Sequence, residues 1–377
     1  MASWALSLAA LISATVLSLR PQFDVAHVSP VAFGDAGAVG GGERYPLELA
    51  RAMAAHVPTK LVTFGPRAAW TRDGELMIQT LPVRGRWKGS DINPLSERLL
   101  PAIAGARVVH AHHYDTIVTN ACLLAGRAMR RRVFASDHGG SARNYRRELR
   151  LDRLLTGLLA VSEFSASFFP ELADRTGVIY GGVDVERYAP DPSVAREDKV
   201  VCVGRLLRHK AIDVVIRAVD PAVRLEIFGR PYDLAYRAEL EQLAAGRNVR
   251  IHDAASDDEV LAAYRGARVC VLASRYDPPN AAAAPKAELL GLTLLEAMAC
   301  GTPVVCTRVG AMPEIVVEGV TGHVVEAGDP AGLGARIAAL LDDRPGWQRR
   351  SDACVAHVRS AFTWDLVARR CLRAYCE

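Results

Sequence analysis

The chain has 377 residues, 50% of them hydrophobic, enough for two domains of ordinary size with a core each, which excludes an intrinsically disordered protein. Its formal net charge of +4 is small for that length, so composition offers no argument for a nucleic-acid partner, and any basic surface must be local. The eight cysteines include no CxxC pair and read as reduced thiols in a cytoplasmic protein, not as a disulfide framework.

Met1 to Leu19 is apolar but interrupted by Ser and Thr, with no basic residue before Arg20. This stretch is short for a membrane span and lacks the charged start of a signal peptide. It reads as an upstream extension or a loosely held amphipathic helix, with a weak membrane anchor as the alternative.

From Phe23 onward short apolar runs alternate with helical stretches, the pattern of βαβ units and a parallel sheet. A strand Phe23 to Ser29 leads through a loop holding Gly34, Gly37 and Gly40 to Gly42 into a helix Glu43 to Ala55. Glycines at such a turn let backbone approach a ligand, although they also serve packing alone. Strands are expected at Lys60 to Phe64, Leu76 to Leu81 and Arg107 to Ala111. The last runs into His110-Ala-His112-His113-Tyr-Asp115, which raises the question of a metal site. Strand alternation sends His110 and His112 to one side and His113 to the other, and nothing nearby completes a zinc pattern, so no metal is expected. A helix Cys122 to Met129, the run Arg130-Arg131-Arg132 and a strand Val133 to Ser136 follow, the strand ending in Asp137-His138-Gly139-Gly140. Arg143 to Leu155 reads as a basic helix with a solvated face. With Arg127 and Arg130 to Arg132, contact with an anionic bilayer surface is the alternative, and that alternative stays open.

Gly181-Gly182-Val183-Asp184 and the pair Pro190 and Pro192 read as a linker. The chain then divides into an extension 1–22, a first domain 23–180, a second domain 181–345 and C-terminal helices 346–377. In the second domain a strand Lys199 to Val203 enters Gly204-Arg205-Leu-Leu-Arg208-His-Lys210 and a helix Ala211 to Val219. Lys210 is one of five lysines in the chain, and a glycine turn carrying Arg and Lys suits a diphosphate, since Arg offers a fork and Lys a point charge. Both side chains are expected to be exposed in an empty site. Strands at Arg224 to Phe228, Val249 to Ile251 and Val269 to Leu272 alternate with helices at Leu234 to Ala245 and Asp257 to Tyr264. RYDPPNAAAAPKA, between Ser274 and Glu288, reads as a flap.

Glu288 to Val305, ELLGLTLLEAMACGTPVV, is the stretch richest in chemistry. On one continuous helix Glu288 and Glu296 would lie about 12 Å apart, too far to act on one bond. A loop to Gly291 followed by a helix Leu292 to Ala299 is the better reading, ended by Cys300-Gly301-Thr302-Pro303 before a buried strand at Val304 to Cys306. The amides of Gly291, Leu292 and Thr293 would then face a phosphate at a helix N-terminus. Glu296 would complete a capping box with Thr293, or accept from ribose hydroxyls. Beyond it, Thr321 to Val325 reads as a hairpin-like edge, and helices follow at Pro330 to Leu341, Trp347 to Phe362 and Trp364 to Tyr375.

Glu288, seven residues and Glu296, then AMACGTPVV and Gly310-Ala311-Met312-Pro313-Glu314-Ile315, resemble the signature of the family 4 glycosyltransferases, and the similarity runs from about Phe23 to the C-terminus. The resemblance implies an α/β chain of two Rossmann-like domains with a cleft between them, the GT-B fold, and a C-terminal helix crossing back to the first domain. It further implies a retaining hexosyl transfer from a nucleoside diphosphate sugar; no Asp-x-Asp motif followed by other plausible ligands offers a Mg²⁺ site, so no metal cofactor is expected. The donor would meet Gly42, Arg205, Lys210, Gly291, Leu292, Thr293 and Glu296; His138 and Glu288 would contact the transferred sugar as the catalytic pair. The turn His252 to Ala255, where the family reads the base, lacks the usual glycine, which leaves the base open. The acceptor, a glycan, a lipid-linked sugar or a small molecule, is likewise open. Relatives that use lipid-linked acceptors make a peripheral contact at the inner membrane face an option. A glycosidase would need the two carboxyls about 5 Å apart and leaves the basic loop without purpose. A nonenzymatic nucleotide-sugar-binding protein on the same fold is the remaining alternative.

Overall fold

The computed structural model describes residues 22–31, 41–139, 149–276 and 288–377, and the chain folds into two units. The first takes the residues up to Val161, Ser165–Tyr180 and Trp364–Glu377; the second takes Ser162–Phe164 and Gly181–Thr363.

The first unit is an eight-stranded sheet. Its strands are β1 (Phe23–Val28), β2 (Thr59–Gly65), β3 (Ala69–Asp73), β4 (Leu76–Pro82), β7 (Ala106–His112), β8 (Arg132–Ser136), β9 (Gly157–Ala160) and β10 (Thr176–Val178), while β5 (Gly85–Arg86) and β6 (Pro94–Leu95) pair apart as a short ribbon. The order is β10-β9-β8-β7-β1-β2-β4-β3, parallel throughout except where β3 returns antiparallel on β4. The chain builds outward from β1 in one direction, then crosses to β7 and builds outward in the other. β1 and β7 therefore flank the topological switch point, where open α/β sheets leave a crevice beyond the strand ends. Val28, Val62, Val109 and Ala135 lie in the core beneath it. The last helix, Trp364–Cys376, packs on the helix Gly41–Ala54, with Trp364 edge-on to Tyr45 at a centroid distance of 5.0 Å. The C-terminal helix thus belongs to the first unit, as the resemblance implies.

The second unit repeats the plan with six parallel strands, β11 (Glu197–Val203), β12 (Arg224–Phe228), β13 (Val249–His252), β14 (Ala267–Leu272), β15 (Val304–Thr307) and β16 (Gly322–Val325), ordered β13-β12-β11-β14-β15-β16. Its switch point lies between β11 and β14. Val200, Leu225, Ile227 and Val269 are fully buried, and each such side chain stabilises the fold by roughly 1.5–3 kcal/mol. Helices Ile212–Ala218, Leu234–Ala244, Asp257–Gly266, Leu292–Ala299, Met312–Ile315, Pro330–Asp342 and Arg344–Ala361 belong to it.

Several expectations need correction. The stretch at Thr321 to Val325 is no hairpin: β16 joins β15 in parallel, as Val304 pairs with Gly322. Leu151–Leu154 forms a single 3-10 turn where a basic helix was expected, with Arg150 before it in the left-handed region at φ 51°; residues 140–148 lie outside the described residues. So do the extension up to residue 21, the glycine loop from 32 to 40 and the flap from 277 to 287. β3 was not foreseen, although the Asp73-Gly74 pair between it and β4 is a hairpin turn signal. Among the described residues no helix is long and apolar enough to cross a membrane.

Candidate active site

In the second unit β11 ends at Val203, and the loop after it carries Arg205 and Lys210. Arg205 is exposed, its guanidinium 5.8 Å from the centroid of the Tyr232 ring. Lys210 departs from the expected exposure: its side chain is 12% accessible, and its Nζ donates to Glu288 Oε2, with Glu288 13% accessible. Ser274 Oγ donates to the same carboxylate oxygen at 3.2 Å. Lys210 follows β11, and Ser274 and Glu288 follow β14, so the switch point brings a cation and an anion into contact. The Glu288 backbone is fixed as well. Its carbonyl accepts the Ala311 amide at 3.0 Å, and a Cβ at Gly310 would stand 2.0 Å from that oxygen, so only glycine fits there.

The helix begins where the sequence places it, at Leu292, with Gly291 as N-cap at φ 95° and no side-chain cap. Its first amides have no partner one turn earlier and carry the positive end of the helix dipole. Thr293 is thus the second helical residue, so the alternative capping box with Glu296 does not form. Glu296 instead accepts from Tyr264 Oη at 3.2 Å. Burial first, and then the Glu296 carboxylate, pushes the Tyr264 phenol well above its ordinary value. The turn after β13, where the resemblance would place base recognition, opens with His252 stacked on Phe228 at 4.4 Å and Asp253 held by Arg237 at 2.8 Å.

The first unit gathers a different set. His138 lies two residues beyond β8, and Gly42, in the first turn of the helix Gly41–Ala54, stands against it: a Cβ there would lie 3.9 Å from His138 Cβ. That is ordinary contact, so space does not demand a glycine at this position. Tyr45, one turn along the helix, lies over His138 at a centroid distance of 4.5 Å. His110 and His112 share one side of β7 as alternation requires, stacked at 4.5 Å, whereas His113 leaves the strand at φ 62° and donates to the Gly139 carbonyl at 3.3 Å.

Sequence reading missed His27. It lies near the end of β1, in register with His110 of β7, and registered neighbours in a parallel sheet show their side chains to the same face. One nitrogen each of His27, His110 and His112 lies within 4.8 Å of the others. The three rings are completely buried. Burial lowers the His27 imidazole to about 3, and burial together with neighbouring imidazoles holds His110, His112 and His138 well below 6.5. All four rings are therefore neutral near pH 7. Ser136 and Tyr375 also join the cluster, as partners of His110 at 2.8 and 2.6 Å.

Two family models match the chain: one described as Glycosyl transferases group 1 over residues 188–354, the other as Glycosyltransferase Family 4 over residues 39–187. A D-inositol 3-phosphate glycosyltransferase of Corynebacterium glutamicum is 33% identical over 227 residues, 54% of this chain and 51% of that protein. A glycogen synthase of Mycobacterium tuberculosis is 31% identical over 239 residues, 59% of this chain and 54% of that protein. The chain thus spans about half the length of the curated relatives it matches. Among solved structures, Anabaena HepE in complex with UDP and glucose superposes with a TM-score of 0.75 at 19% identity, covering 94% of this chain and 100% of that one. Sucrose-phosphate synthase from Thermosynechococcus elongatus gives 0.70 at 20% identity, covering 95% and 98%. At these identities the structural likeness speaks for the fold.

Proposed function

Because the chain belongs to the family 4 glycosyltransferases of the GT-B fold, we propose that it moves a sugar from a nucleoside diphosphate sugar to an acceptor hydroxyl, with retention at the anomeric carbon. The observation that carries this reading is the contact between Lys210 and Glu288 at the switch point of the second unit, three residues before the helix that starts behind Gly291. Lys210 and Arg205, with the amides of Gly291, Leu292 and Thr293, suit the diphosphate. Glu288 suits the sugar hydroxyls, and Glu296 those of ribose. The complexes of the Anabaena neighbour with UDP and UDP-glucose support a nucleotide-sugar donor.

In the proposed reaction the acceptor oxygen bonds to the anomeric carbon on the face from which the diphosphate leaves. The bond from that carbon to the diphosphate oxygen breaks, and the acceptor proton passes to the leaving phosphate. The main electrostatic demand is the charge growing on the diphosphate, which Lys210, Arg205 and the helix start would meet without a metal ion. Before the donor arrives Lys210 is neutralised by Glu288, so binding would exchange one anionic partner of the lysine for another. Glu288 would then be released toward the sugar.

Incubation with a panel of nucleotide sugars, each with and without candidate glycan, lipid-linked and small-molecule acceptors, tests the reading. Acceptor-dependent release of a nucleoside diphosphate, persisting in a chelator, is the expected result. Binding without turnover for every acceptor would favour a nucleotide-sugar-binding protein. A cytoplasmic protein with a peripheral membrane contact remains part of the proposal, supported by Leu124 and Arg127, exposed one turn apart on the helix Ile117–Ala128. Flotation with anionic but not neutral vesicles at low salt is its expected signature.

A further inference from the structure

Three imidazoles of the first unit form a chain. His27 Nδ1 faces His112 Nε2 at 3.0 Å, and His112 Nδ1 faces His138 Nε2 at 2.9 Å. Each gap has hydrogen-bond length and needs one proton between two nitrogens. A neutral ring carries a single N–H, so the chain can run in only two ways. Either every ring donates through Nδ1, with the proton of His138 on Nδ1, or every ring donates through Nε2.

The neighbours of the chain decide between them. Ser136 Oγ gives its one proton to the Leu159 carbonyl at 2.7 Å, so toward His110 Nε2, 2.8 Å away, it can only accept. His110 therefore carries its proton on Nε2, and its Nδ1 accepts the Tyr375 hydroxyl at 2.6 Å. Both nitrogens of His110 are committed. That leaves none for a metal ion shared with His27 and His112, and none to accept from His27. His27 Nε2, fully enclosed, has no hydrogen-bond partner among the described residues. A proton there would be a buried donor without an acceptor, the rarer and more costly defect, whereas a bare lone pair is better tolerated. The chain then runs from His27 through His112 to His138.

We propose that His27 and His112 are positioning residues that hold His138 as the Nδ1–H tautomer, so that His138 offers a hydrogen-bond donor and has no free nitrogen to act as a base. The tautomer follows from the first unit alone. Its consequence for transfer rests on the reading above that His138 meets the transferred sugar: the ring would donate to a sugar oxygen, and the acceptor proton would have to leave by another route.

The test uses the full chain with ¹⁵N-labelled histidine and long-range ¹H–¹⁵N correlation spectra, the His138 signals being assigned by their loss in His138→Gln. The Nδ1–H pattern is expected for His138 in the wild type without substrate. His27→Phe removes the first donor and should release the tautomer, lowering kcat roughly 10-fold while KM for the donor sugar holds. His27→Asn keeps an amide N–H near the place of Nδ1 and should restore both the pattern and most of the turnover. An Nε2–H pattern in the wild type overturns the proposal, as do Phe and Asn variants with the same tautomer. Should His27→Phe fail to fold, the wild-type spectrum still decides. An Nδ1–H pattern in a protein that transfers no sugar would leave the positioning role intact and remove the sugar reading.

Discussion

The two units use one architectural plan for opposite electrostatics. Each is a doubly wound sheet with polar residues gathered at its switch point, between β1 and β7 in the first and between β11 and β14 in the second. In the first, four imidazoles are kept neutral by burial and act through the direction of their hydrogen bonds. In the second, Lys210 and Glu288 face each other as partly accessible ions, and Arg205 stands in solvent. Under the proposed function the difference follows from what each site would recognise. A diphosphate calls for full charges and can displace a carboxylate from a lysine, while neutral hydroxyls are better met by donors of fixed direction that cost little to bury.

The comparison can be broken most sharply at the charged site. Lys210→Ala should lower kcat/KM for the donor about 30- to 150-fold, or roughly 2–3 kcal/mol, because it removes a charge-assisted contact and leaves Glu288 without its cation. Arg205→Ala, at an exposed position, should cost about 10-fold. Steady-state kinetics with equal losses in both, or none, would show that burial of the Lys210 contact has no functional weight.

Acid should act on the neutral site. The folded pKa of His27 is lowered to about 3 from 6.5, so the unfolded chain binds the extra proton. The stability contributed by its neutral form is complete above pH 6.5 and declines as pH falls toward 3. The decline is about 1.4 kcal/mol per pH unit for this ring, or roughly 2 kcal/mol by pH 5. Urea unfolding of the wild type and of His27→Phe between pH 7.5 and 5 measures it: the variant should lose about one proton's worth of slope. Parallel curves would mean that His27 is not held neutral.

Glu296→Gln tests a subtler point. The amide oxygen can still accept from Tyr264, so the melting temperature should barely move, yet a charged acceptor for ribose is lost and nucleotide affinity should fall about 5-fold. Unchanged affinity would reduce Glu296 to a partner of Tyr264.

Local signals were legible in the chain. The strand Arg224–Phe228 and the helix Leu292–Ala299 fall where patterning, Gly291 and the Cys300-to-Pro303 stop place them. Non-local facts were not. That Val304 pairs with Gly322 in parallel, or that His27 stands in register with His110, depends on strand order, which no short window contains. The sequence could mark Lys210 and Glu288 as candidates, but their contact spans 78 positions and exists only because β11 and β14 are neighbours. Ser274, Tyr264 and Tyr375 carry no motif; their roles come from the groups they reach.

Calorimetric titration of UDP, GDP, ADP and CDP into the wild type and into Lys210→Ala addresses the central claim, that the second unit is built to hold a nucleoside diphosphate. At least one of the four should bind the wild type, and the variant should bind it about 30-fold or more weakly, since the contact to the diphosphate is lost. Failure of all four to bind, or equal affinity in the two proteins, would contradict it.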